Sequence, residues 1–176
     1  MMARKLLLVA GVFAVASAMI ADFGAGRALW GSVRVSALEA ARSQPEGAQQ
    51  PVPAAAVIEP EALARILKSN SGEKPLILQV GFRFLYNSAH ITGSEYIGPG
   101  SKEEGLRALR QRVASLPHGK FIVLYCGCCP WIRCPNIKPA YEALHGMGFT
   151  HVKVLHIEEN FGVDWVDKGY PTVRGQ

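Results

Sequence analysis

The sequence predicts an α/β domain built on a mostly parallel central sheet of about five strands, flanked by helices. Three observations carry that expectation. From Val57 onward, short β-prone runs alternate with helical stretches, the signature of strand-helix-strand crossovers. Two of those runs, residues 75–80 and 121–125, are almost continuously apolar, as strands covered on both faces are. The chain has 176 residues, 49% hydrophobic and 19% charged, which is enough for one ordinary core and too little for two.

Taken in order, Val57 and Ile58 form a brief strand. Pro60 suits a first helical turn, where its missing N–H costs nothing, and Leu63, Ile66 and Leu67 follow at helical spacing. Ser69, Asn70, Ser71 and Gly72 end that helix. The run at 75–80 is an interior strand and 95–97 a shorter one. Residues 102–116 form a helix with Leu106, Leu109, Val113 and Leu116 on one stripe. The second strong strand is 121–125. Asn136 is placed to cap the next helix, with Pro139 in its first turn and Tyr141, Leu144 and Met147 on its apolar face up to Gly148. A strand at 152–157 and a short helix around Trp165, ending at Gly169, complete the series.

The N-terminus is a different material. Arg4 and Lys5 precede an apolar run from Leu6 to Ile20, and Ala16, Ser17 and Ala18 have the small-x-small form of a signal-peptidase site. A run of about 15 residues spans roughly 22 Å as a helix, short of a hydrocarbon core of about 30 Å. Residues 1–20 are therefore expected to be an export signal, with a short membrane anchor as the alternative. Export implies a periplasmic or extracellular protein. Residues 21–56, rich in Ala, Gly, Ser and Gln and carrying Pro51 and Pro53, are expected to be a flexible linker, and residues 57–174 the folded domain. The net charge of +5 is dispersed among carboxylates, with no basic stripe or interleaved aromatics, so nucleic acid is not an expected partner.

All four cysteines fall within nine residues: Cys126, Gly127, Cys128, Cys129, Pro130, Trp131, Ile132, Arg133, Cys134. The segment leaves a buried strand and enters a helix N-terminus, where open α/β folds bind ligands and unpaired N–H groups favour anions. The helix terminus and the nearby Arg133 are expected to lower a thiol's pKa, and the thiolate is the nucleophile in persulfide and disulfide chemistry.

Here the sequence resembles the rhodanese-like family, in which an apolar strand ends on a Tyr-Cys or similar pair. Phe121, Ile122, Val123, Leu124, Tyr125 and Cys126 match that form. Leu78, Gln79 and Val80, then Ala89, His90, Ile91, Thr92, Gly93 and Ser94, are similar to an upstream strand and turn of the family. Gly148 to Val152 and Trp165 to Pro171 are similar to its closing segments. Gln79 and Gly81 stand where the family has an acidic and a basic residue, and Glu158 and Glu159 replace a glycine pair. The resemblance implies a three-layer fold and a sulfurtransferase that accepts a sulfane sulfur from a donor such as thiosulfate, holds it as a cysteine persulfide and passes it to a thiol acceptor. It implies no cofactor. Carried over, the nucleophile is Cys126 by strand position or Cys128 by its spacing to Arg133; strand position is preferred. Arg133, Gly127 and Trp131 are the substrate-binding candidates.

Other readings of the cluster stand beside this one. In an oxidising compartment Cys128, Cys129 and Cys134 are candidates for disulfide or resolving roles, Cys134 pairing with one of the others. Thiolates also suit a soft metal, although four cysteines this close are expected to wrap a tetrahedron poorly. Such a domain would be a non-catalytic module. His90 is expected to stabilise its turn, and Trp131 to line a substrate mouth or to cover the loop.

Overall fold

A computed structural model describes residues 50–175. The expected signal or anchor and residues 21–49 of the expected linker lie outside the described residues. Among the described residues no helix is long and apolar enough to cross a membrane. The folded unit begins before Val57. Val52 and Ala56 are both buried in the core, and residues Ala54–Ala56 form a 3-10 turn, so the last few positions of the expected linker are packed structure.

Five strands form the main sheet: β1 (Val57–Ile58), β2 (Leu76–Gln79), β4 (Glu95–Tyr96), β5 (Ile122–Tyr125) and β6 (Val152–Leu155), in spatial order β1-β6-β5-β2-β4. Every neighbouring pair in it is parallel, as the apolar runs and intervening helices required. Strand β5 occupies the centre, and all four of its residues are buried. Among the described residues four α-helices accompany the sheet: α1 (Pro60–Lys68), α2 (Arg83–Ser88), α3 (Glu103–Val113) and α4 (Ile137–Gly146).

Alternation along the strands sorts the core into two faces. Leu78, Ile122, Leu124 and Val154 pack with Leu109 and Val113 of α3 and with Ile137, Ala140 and Leu144 of α4. Ile77, Val123, Tyr125 and Leu155 point the other way, onto Leu63 and Ala64 of α1 and onto Trp165. Cys126, one residue beyond β5, continues the even-numbered series and falls on the α3–α4 side.

Three features were not expected. Helix α2 is short and carries no buried residue, so no apolar stripe announces it. Strands β3 (Ala89–Ile91) and β7 (Thr172–Arg174) make a separate antiparallel pair of three residues each, too short for a pattern to emerge. The segment around Trp165 is a π-helical turn, Gly162–Val166. His90 does stabilise its turn: it is buried, its ring stacks on Tyr86 at 4.0 Å, and its Nδ1 lies 2.9 Å from the Tyr86 carbonyl.

Candidate functional site

The cysteine loop leaves the centre of the sheet and is tied down at each end. Gln79, buried at the end of β2, donates from Nε2 to the Cys126 carbonyl at 3.3 Å and accepts the Gly81 N–H on Oε1 at 3.1 Å. A neutral amide thus joins the two loops that leave β2 and β5. A Cβ on Gly81 would lie 2.9 Å from the Cys126 sulfur, so glycine lets the two loops approach. The chain then turns at Gly127, whose φ of +72° is left-handed, against Phe161, whose N–H donates to the Gly127 carbonyl at 3.3 Å. An added Cβ at Gly127 would stand 2.6 Å from the Phe161 Cβ. Gly127→Ala is expected to cost about 2–4 kcal/mol, combining left-handed strain with overpacking. Urea denaturation checks this; an unchanged midpoint would mean that the loop relaxes freely.

Beyond Gly127 the loop passes Cys128, Cys129 and Pro130 into a 3-10 turn, Trp131–Arg133. Trp131 covers the loop from inside: it is buried, its N–H donates to the Glu158 carbonyl at 3.1 Å, its indole N–H donates to Gln50, and its ring meets His156 edge-on at 5.0 Å. It therefore covers the loop, and it also lines a cavity of about 250 Å³ with Gln50, Val52 and His156. Arg133 is exposed, and among the thiols its charge is felt at Cys129, where it favours the thiolate.

Asn136 occupies the N-cap position of α4 without capping it. Its side chain is wholly buried and turned to other uses. Oδ1 accepts the Ser101 N–H at 3.1 Å, and Nδ2 donates to the Cys126 sulfur at 3.3 Å and to the Cys128 sulfur at 3.7 Å. The residue expected to cap the helix is thus a sulfur-directed donor, and its Oδ1, the atom that would accept a helix N–H, is taken by Ser101.

All four cysteines are free thiols. The Cys126 and Cys128 sulfurs are 3.2 Å apart and those of Cys128 and Cys129 3.1 Å apart. The sulfurs of Cys126, Cys128 and Cys134 all lie within 4.8 Å of one another. Cys126 is only 3% exposed, whereas Cys128, Cys129 and Cys134 are half-buried.

This crowding reverses the expected thiolate bias. The Cys126 thiol is pushed up to about 12, first by its contact with Cys128 and then by burial, which together outweigh the donors Cys134 and Asn136. Cys134 is pushed up to about 12 by its contact with Cys126 and by burial, and Cys129 to about 11 by burial and then Cys128. For Cys128 the contact with Cys126 lowers the pKa, but Cys134 and burial together leave it raised. Each thiol is a weaker acid than a free cysteine, so its thiolate fraction at neutral pH is small and grows with pH. Alkylation by a neutral reagent should accelerate about tenfold per pH unit from about pH 7 to about pH 8.5, the range of an ordinary cysteine, without levelling off. A rate that levels off near neutrality would contradict these environments.

Cys128 and Cys129 open onto an apolar groove of about 350 Å³ shared with Phe82, Phe84, Leu85 and Pro135. Phe84 is 67% exposed and its ring stacks near that of Phe82, with centroids 6.0 Å apart. Sequence reasoning missed these residues, together with Gln79 and Asn136 as parts of the site. The signal for the groove was an apolar cluster, Phe82, Phe84 and Leu85, with no period to bury it.

The fold and the position of this loop define a rhodanese-like α/β fold. The structure is similar to the solution structure of the rhodanese-like domain of the Alr3790 protein from an Anabaena species, with 24% identity, a TM-score of 0.50, and coverage of 69% of this chain and 80% of that one. A crystal structure of the same Anabaena protein gives a TM-score of 0.51 at 24% identity, covering 67% and 92%. The BH2092 protein of Bacillus halodurans gives 0.51 at 21% identity, covering 67% and 76%. No protein-family model and no curated protein matches the sequence.

Proposed function

We propose that the domain transfers a sulfane sulfur through a cysteine persulfide, with Cys128 as the entry thiol and an anionic donor such as thiosulfate. The observation that carries this reading is the setting of Cys128. It is half-buried beside the open groove, it accepts a hydrogen bond from the Cys126 thiol at 3.2 Å, and it keeps the five-residue spacing to Arg133 that the sequence resemblance implies. Cys126, favoured by strand position, is enclosed and supports its neighbour instead. The N–H groups of Gly127 and Cys128 find no backbone acceptor among the described residues, leaving donors for an anionic sulfur.

The Cys128 thiol gives its proton to solvent, and the thiolate attacks the outer sulfur of thiosulfate. A cysteine–sulfur bond forms, the sulfur–sulfur bond of the donor breaks, and sulfite leaves with the electron pair. An acceptor thiolate then takes the terminal sulfur and returns Cys128 as thiolate. The acceptor approaches along the groove past Phe82 and Phe84. Arg133 draws the anionic donor to the loop as an exposed charge. The rhodanese-like fold supports the reading at the level of architecture.

The test is sulfite release from thiosulfate in the presence of a small thiol acceptor, under reducing conditions that keep the cysteines free. Catalytic sulfite release is expected, and release no faster than without protein would overturn the proposal. We also infer that the protein is exported, on the strength of the N-terminal segment; a mature N-terminus just after Ala18 in envelope-derived protein would support this, and an intact N-terminus in the cytosolic fraction would overturn it.

A further inference from the structure

We propose that Cys126, Cys128 and Cys134 form a three-thiolate site for a soft monovalent cation of the copper(I) class. The inference goes beyond sulfur transfer and does not rest on it. Three sulfurs mutually within 4.8 Å are already near the arrangement that a shared metal requires. With metal–sulfur bonds of about 2.3 Å, a trigonal site sets its sulfurs about 4 Å apart, so the close Cys126–Cys128 pair need only open by less than about 1 Å.

The chemistry of the donor set selects the ion. No nitrogen or oxygen ligand belongs to the group, and an all-thiolate set favours soft ions over magnesium, calcium or manganese. The number of ligands narrows it further, because structural zinc takes four and Cys129 falls outside the triad. Three of the four clustered cysteines meet.

The frame is suited to holding an ion. Cys126 is fixed at the end of the central strand, with its carbonyl held by Gln79, and Cys134 stands three residues before the first residue of helix α4. Cys128 lies on the loop between them and supplies the adjustment. Asn136 directs its Nδ2 at two of the three sulfurs, the outer-shell contact that orients a thiolate ligand and offsets its charge. On binding, each coordinating thiol releases its proton to solvent and the ion keeps its oxidation state, so no oxidant is needed. The bound ion occupies Cys128, so metal and sulfane sulfur compete for one thiol.

The experiment is an anaerobic titration of the reduced full-length chain with copper(I) held by a coloured chelator. The protein is expected to withdraw one copper(I) per chain. Cys126→Ser and Cys134→Ser should each weaken binding by more than about 100-fold, the most that loss of an outer-shell contact alone produces. Cys129→Ser should leave affinity and stoichiometry unchanged, with circular dichroism confirming that each variant is folded. No withdrawal of copper, or an equal loss in Cys129→Ser, would overturn the three-thiolate site. Protein that takes sulfur from thiosulfate yet leaves copper on the chelator refutes the metal site alone. Protein that binds copper yet takes no sulfur refutes only the transfer reading.

Discussion

Cys128→Ser is expected to abolish the sulfur adduct that thiosulfate leaves on the protein, because it removes the thiol that can both reach solvent and accept the Cys126 hydrogen bond. Serine keeps the size and hydrogen-bonding capacity of the side chain, so the fold should survive and only the chemistry should be lost. The neighbours should behave differently. Cys126→Ala removes the contact that favours the Cys128 thiolate, so uptake should slow without disappearing. Cys129→Ser should still take up one sulfur. Loss of the adduct in Cys126→Ala but not in Cys128→Ser would move the nucleophile to the end of the strand. Adduct mass and its rate of appearance, followed across the three variants, distinguish these outcomes.

Trp165→Ala is expected to carry the largest cost in stability, about 3–5 kcal/mol, from lost burial and the cavity left behind. Trp165 is wholly buried beside the sheet, stacked near Phe161 and edge-on to Tyr170, and its indole N–H donates to the Pro171 carbonyl at 3.1 Å. The carbonyl would lose that partner as well. Phe161 braces the turn at Gly127, so the damage should extend to the cysteine loop. Phe84→Ala is the natural control: its ring is largely in solvent, and its removal should change the denaturation midpoint little. Comparable losses in the two variants would mean that the core is not organised around Trp165.

Much of this fold could be read from residues whose burial leaves a mark. The runs at β2 and β5 are apolar on both faces because helices cover both sides of the sheet, and that is why their sequences scarcely alternate. Helices α1, α3 and α4 each bury one stripe and so announce themselves. Helix α2 does not, because none of its residues is buried, and β3 and β7 are too short to show a period. The same logic explains the site. The cysteine cluster and its place after β5 were visible; that Cys126 shares a face with Leu124 came from the structure. Its burial among other thiols was not visible, since that depends on Cys128 and Cys134 folding back toward it across a turn. Asn136 is recognisable as a cap by position, yet its side chain goes to sulfur because the helix start lies beside Cys126 and Cys128. Trp131 was open between lining and covering, and contacts with Gln50, Glu158 and His156 make it a cover.

The measurement that bears most directly on sulfur transfer is the mass of the reduced mature chain after exposure to thiosulfate and removal of free reagent, followed by peptide mapping under conditions that preserve persulfides. One added sulfur per chain, located on Cys128, is the expected result. An unchanged mass in protein shown to have four free thiols would contradict it.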